Sequence, residues 1–166
     1  GVGLVLVVLF IFFRKYSLQR RIQKRRATSA DVNREMLFSF FTTAVYALVG
    51  LFTVRVEQSG HSLIYMDVAV YGWFYTLLSL PLVLIAHDAY FYWTHRAMHH
   101  PKLFRAFHRF HHRTITPTPW AAYSFAVPEA VVMAVFMPIW LALVPTPVWV
   151  TFTFLAVMIL RNAMGH

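Results

Sequence analysis

At 166 residues the chain has the length of one domain, but 59% apolar and only 13% charged residues exclude an ordinary soluble one. The absence of cysteine excludes disulfides, iron–sulfur clusters, haem-thiolate chemistry and Cys-type zinc modules. A net charge of +9 raises nucleic acid as a partner, yet eight of the 15 basic residues lie between Arg14 and Arg34 and five between Arg96 and Arg113. Each block directly follows an apolar segment, which is the pattern of a cytoplasmic membrane flank beside anionic headgroups rather than of a nucleic-acid surface.

In chain order, residues 1–13 are apolar throughout but too few to cross a bilayer alone, and read as part of a span or as the tail of a signal-like segment. With no initiator Met, the chain is expected to be a piece of a longer protein. Residues 14–35 form a basic, partly helical cytoplasmic linker. Residues 36–54 and 68–86 are two uncharged runs of 19 residues, each long enough for one crossing. Arg55–Asp67 is the polar connection on the far side, broken at Gly60, and Pro81 is tolerated because neighbouring helices satisfy the freed carbonyl. Two crossings return the chain to the cytoplasmic side at residue 87. The second basic block, which follows there, places the same side inward independently.

Residues 87–126 carry the chemistry. Seven of the chain's nine histidines fall between His87 and His112. His95 and His99 form an HxxxH box, one helical turn apart and able to aim two imidazoles at one point. His108, His111 and His112 form an HxxHH box, in which His108 pairs with one of the adjacent histidines and the other is left for a second metal. Nitrogen-rich sites without thiolate favour iron, copper or zinc. Asp88 lies two turns before His95 on the same face and reads as a carboxylate supporting a ligating imidazole. For His87 and His100 a ligand role and a non-ligand role stay open. His61 reads as an ordinary interfacial histidine. Thr114–Pro119 is a loop on account of its two prolines and three threonines. Residues 127–160 form a helical hairpin of two short apolar runs around a PTP turn, returning Arg161 and His166 to the histidine side.

A basic helix lying on anionic lipid accounts for the arginines and phenylalanines of this stretch but not for two boxes at ligand spacing. The segment DAYFYWTHRAMHHPKLFRAFHRFHH closely resembles the fatty acid hydroxylase/sterol desaturase superfamily of integral-membrane non-haem di-iron enzymes. The likeness extends from His87 to about Ala130 and again over Arg161–His166. It implies an all-α, multi-pass membrane protein with a cytoplasmic histidine-rich cap, in the bacterial inner membrane or the endoplasmic reticulum. It implies two iron ions and O₂-dependent hydroxylation or desaturation of a fatty acyl, sterol or carotenoid lipid, with electrons from a partner protein. By position, His95, His99, His108, His111 and His112 take ligand roles, and His166 stands as the first of the later ligands. Family members carry a further HxxHH box beyond that point and a histidine where this chain has Ala126. The ligand set is therefore expected to be incomplete. Two other readings follow from the same residues. A catalytically incomplete relative or structural subunit fits the missing ligands. A metal transporter fits less well, because transporters place polar ligands within spans and the run 36–54 has neither charge nor histidine.

Overall fold

The computed structural model describes residues 25–164 together with Val8, Ile11 and Phe12. The expected partial span at 1–13, most of the basic linker and the ligand His166 therefore lie outside the described residues, apart from those three positions.

Helix α1 (Ser29–Gln58) begins where Thr28 and Asp31 cap each other: the Asp31 amide donates to Thr28 Oγ1 at 3.2 Å and the Thr28 amide to the Asp31 carboxylate at 3.0 Å. It ends at Ser59–Gly60, where Gly60 adopts φ 76°, a left-handed conformation suited to glycine. A short connection follows, containing β1 (Ile64–Tyr65). Helix α2 (Gly72–Met98) runs without interruption through Pro81. It stops because His100 is extended at φ −63°, ψ 137°, as residues before proline are, and Pro101 then opens α3 (Pro101–Phe107). After a loop come two eight-residue helices, α4 (Val127–Ala134) and α5 (Phe136–Leu143), then β2 (Thr146–Pro147) and α6 (Val148–Met164).

The architecture is all-α and built for a membrane. α1 and α2 are both long and apolar enough to cross a bilayer, and only 11% and 17% of their apolar stretches are buried inside the protein. The core helix of a soluble protein would be mostly covered; here Leu37, Phe40, Leu48, Leu51 and Phe52 of α1 all face outward. The inward face of α1 is instead polar, with Asp31, Glu35, Ser39 and Thr42 buried at helical spacing. Glu35, Ser39 and Thr42 hold the loop before α4. Ser39 Oγ donates to Trp120 O at 2.6 Å, the Phe125 amide donates to Thr42 Oγ1 at 3.3 Å, and Glu35 Oε2 accepts from both the amide and the hydroxyl of Thr118. Apolar packing joins α2, α5 and α6 through Val83, Phe136, Val150 and Phe154.

The two ends of the bundle are tied differently. At one end β1 and β2 pair in parallel, Ile64 opposite Thr146 and Tyr65 opposite Pro147, and Tyr75 Oη donates to Pro145 O at 2.7 Å. At the other, Arg161 of α6 reaches Asp88 of α2 at 2.7 Å. This second end is where the histidines gather.

Candidate metal centre

At about 1.5 Å per residue α2 is about 40 Å long, about 10 Å more than a bilayer's hydrocarbon core. Its last turns carry His95, with His99 as the C-terminal cap. The break at His100–Pro101 folds the chain back, so that α3 delivers His108, its own C-terminal cap, over the end of α2. A 3₁₀ turn at His111–Arg113 then replaces further helix. Phe110 fixes that turn by stacking on Phe38 of α1 with ring centroids 3.6 Å apart, and His111 stacks on Phe125 at 5.6 Å.

The result is one compact group of imidazoles. One nitrogen each from His95, His99 and His108 lies within 4.8 Å of the others. The His95 and His99 Nε2 atoms are 3.2 Å apart. Nitrogens held at about 2.1 Å from one cation stand roughly 3.0–3.4 Å from each other, so this pair needs little adjustment to share a metal. His112 joins on the open side, its ring 5.1 Å from His99 and 4.8 Å from His108. His111 flanks His108 at 5.2 Å, and its ring lies 5.9 Å from that of His112.

His108 is the anchor of the group, 1% exposed. Its Nδ1 lies 2.8 Å from Glu129 Oε1, while its buried Nε2 has no hydrogen-bond partner. A buried nitrogen without a partner costs about 1–3 kcal/mol, and a metal at that position would remove the penalty. Burial first, then the surrounding imidazoles of His95, His111, His112 and His99, pull the His108 ring down to about 3. It is therefore neutral at pH 7, as a metal ligand must be. The residues present fit a transition-metal ion.

Other sequence-predicted residues take different places. Asp88, read as support for His95, is half-exposed; its carboxylate pairs with Arg161 and lies 3.9 Å from His87 Nδ1. His87 sits in an aromatic box, edge-on to Phe136 at 5.0 Å and Phe154 at 5.3 Å, away from the cluster. His100 caps α3, its Nδ1 accepting from the Lys102 amide at 3.4 Å. The residue sequence reasoning passed over is Glu129, 3% exposed in the first turn of α4. It had a signal: it is the single charged residue between Arg113 and Arg161. An open apolar groove of about 650 Å³, lined by Leu48, Val49 and Phe52 with Val135 and Ile139, lies toward the opposite end of α1 from the residues that hold the 118–125 loop. It is separate from the imidazole group.

A fatty acid hydroxylase family profile matches residues 80–166, more than half of the chain. The chain belongs to the fatty acid hydroxylase family. It is 33% identical to a Delta(7)-sterol 5(6)-desaturase of Gibberella zeae over 136 residues, which is 82% of this chain and 41% of the relative. It is likewise 33% identical to a Delta(7)-sterol 5(6)-desaturase of Aspergillus fumigatus over 122 residues, 70% of this chain and 38% of that protein. To the lathosterol oxidase of Rattus norvegicus it is 30% identical over 97 residues, covering 57% and 32%. The chain thus spans about two fifths of the length of the first of these curated relatives. No solved structure matches it.

Proposed function

We propose that the chain supplies the first histidine boxes of a di-iron centre, with which the membrane-embedded protein uses O₂ and external electrons to oxidise a lipid. The observation that carries this reading is the convergence of one nitrogen each from His95, His99 and His108 within 4.8 Å of one another, at a His108 whose Nε2 is buried without a partner. The desaturase and oxidase activities of these relatives favour a sterol as the lipid and desaturation as the outcome. Hydroxylation of a sterol or fatty acyl chain is the same chemistry with a different placement of substrate.

Bound iron would supply the O₂ activation that removal of hydrogen from an unactivated carbon requires and that side chains alone lack. His95, His99 and His108 would hold it, with His111, His112 and His166 completing the set contributed by this chain. All are neutral donors, so the site's positive charge is left largely uncompensated, unlike carboxylate-rich di-iron bundles. Burial of His108 keeps water from the deepest ligand. The projecting end of α2, which carries the site, supports a position at the membrane edge, within reach of a lipid entering from the bilayer. By the distribution of basic residues that edge is cytoplasmic. The exposed cations Lys102, Arg105, Arg109 and Arg113 form the surface on which an acidic electron carrier would dock.

Product analysis of the full-length protein in nanodiscs tests the proposal. With O₂, an electron donor and iron, a Δ7-sterol is expected to lose two hydrogens. Charge reversal at Lys102 and Arg105 is expected to slow that turnover several-fold at low salt and to leave iron content unchanged. Absence of any iron- and O₂-dependent change in sterol or fatty acyl lipids would refute the reading.

A further inference from the structure

We propose that Glu129 is a positioning residue for this centre, the carboxylate that orients His108 and fixes which of its nitrogens faces the metal; the inference rests on the metal-centre reading above. The contact is short, 2.8 Å from His108 Nδ1 to Glu129 Oε1, and both side chains are almost wholly excluded from solvent. Burial pushes the Glu129 carboxyl up to about 8; in its ionised form it accepts the Nδ1 proton in a hydrogen bond. With the proton held there, Nε2 keeps its lone pair, and Nε2 is the atom left buried without a partner. The rings around His108 belong to His95 at 4.5 Å, His99 at 4.7 Å and His112 at 4.8 Å. On this reading the freed lone pair faces the imidazole group and the carboxylate lies on its outer side.

The placement of Glu129 is otherwise unfavourable. It is the single charged residue in the 47-residue stretch 114–160, buried at the start of an apolar helix. A buried carboxylate is retained where it is paired and hydrogen-bonded. The first turn of α4 suits a negative charge through its exposed amide dipoles, and Pro128 within that turn fixes the backbone that presents it. Carboxylate partners of ligating histidines raise the basicity of the ring and typically change metal affinity about 10- to 100-fold when removed.

The test uses full-length protein in nanodiscs, stripped of metal and titrated with Co²⁺ against a competing chelator, alongside thermal unfolding of the metal-free form. E129Q keeps the volume but cannot become a carboxylate. It is expected to bind Co²⁺ about 10- to 100-fold more weakly than wild type while the metal-free Tm stays within a few degrees, and E129D is expected to fall between the two. Wild-type affinity in E129Q, or an E129D as weak as E129Q, overturns the positioning role. A second measurement needs no variant. In ¹⁵N-histidine NMR of the Zn²⁺-loaded wild type, His108 is expected to carry its proton on Nδ1 and the metal on Nε2, and the reverse arrangement overturns the inference. A wild type that takes up no Co²⁺ would instead bring down the metal-centre reading itself. A loaded wild type with an unaffected E129Q brings down this inference alone.

Discussion

His108 and His87 are both largely shielded histidines with an unpartnered nitrogen, and their surroundings separate them. His108 has a carboxylate on one nitrogen and imidazoles around the other; His87 has phenylalanines on three sides. A phenyl ring at position 87 removes an unsatisfied buried nitrogen, while its larger volume against Phe136 and Phe154 offsets part of that gain. H87F is therefore expected to retain wild-type metal stoichiometry and to be as stable as wild type or up to about 1 kcal/mol more so. Metal loss in H87F would make His87 a ligand. The shared facing of His95 and His99 was legible from spacing, because residues one helical turn apart face the same way; His108 caps α3 and His111 and His112 sit in a 3₁₀ turn, so helical spacing does not account for their approach. Nor was the fate of Asp88 legible from spacing. Its spacing to His95 is right for a shared face, but Arg161 arrives from α6 with a full charge and takes the carboxylate. His100 likewise follows from Pro101, which forces the preceding residue out of the helix and into a cap. Glu129 was legible only as an isolated charge, since its partner stands 21 residues away in sequence.

At the scale of elements, α1 inverts the usual amphipathic helix. Its apolar side chains face outward and a stripe of Glu35, Ser39 and Thr42 holds the 118–125 loop, from whose end α4 presents Glu129. Between membrane helices apolar contact gives no advantage over lipid, so polar side chains that satisfy loop backbone provide the specificity. S39A is expected to cost about 0.5–1 kcal/mol. E35A, which leaves both Thr118 donors without their acceptor, is expected to cost more, about 1–3 kcal/mol. Unfolding by graded denaturing detergent measures both, and equal small losses would show that the stripe does not carry the loop. The run lengths in the sequence located α1 and α2, because bilayer thickness fixes how many apolar residues a crossing needs. Which face of α1 turns inward was hidden, since a stretch without charges does not reveal a stripe made of hydroxyls. The region after α3 shows the same limit. Two runs of near-equal hydropathy become two eight-residue helices and one of 17 residues, divided by backbone breaks that apolar composition does not encode.

For the whole molecule, the histidine end and the β1–β2 end lie at opposite ends of α1 and α2. If the two long helices cross the bilayer, Lys102 and His61 must lie on opposite sides of it. The chain has no cysteine, so single cysteines report cleanly. K102C is expected to react with an impermeant maleimide only from the cytoplasmic face and H61C only from the other. Labelling of both from one face would put the helices on the membrane rather than through it. The measurement that bears most directly on the central claim is the metal content of the full-length protein, purified after growth in iron-sufficient medium. About two irons per chain are expected in the wild type, as two-metal oxygen chemistry requires, with most of the iron lost in H95A and in H108A although both variants still insert and fold. A single zinc per chain that survives both substitutions would contradict the account.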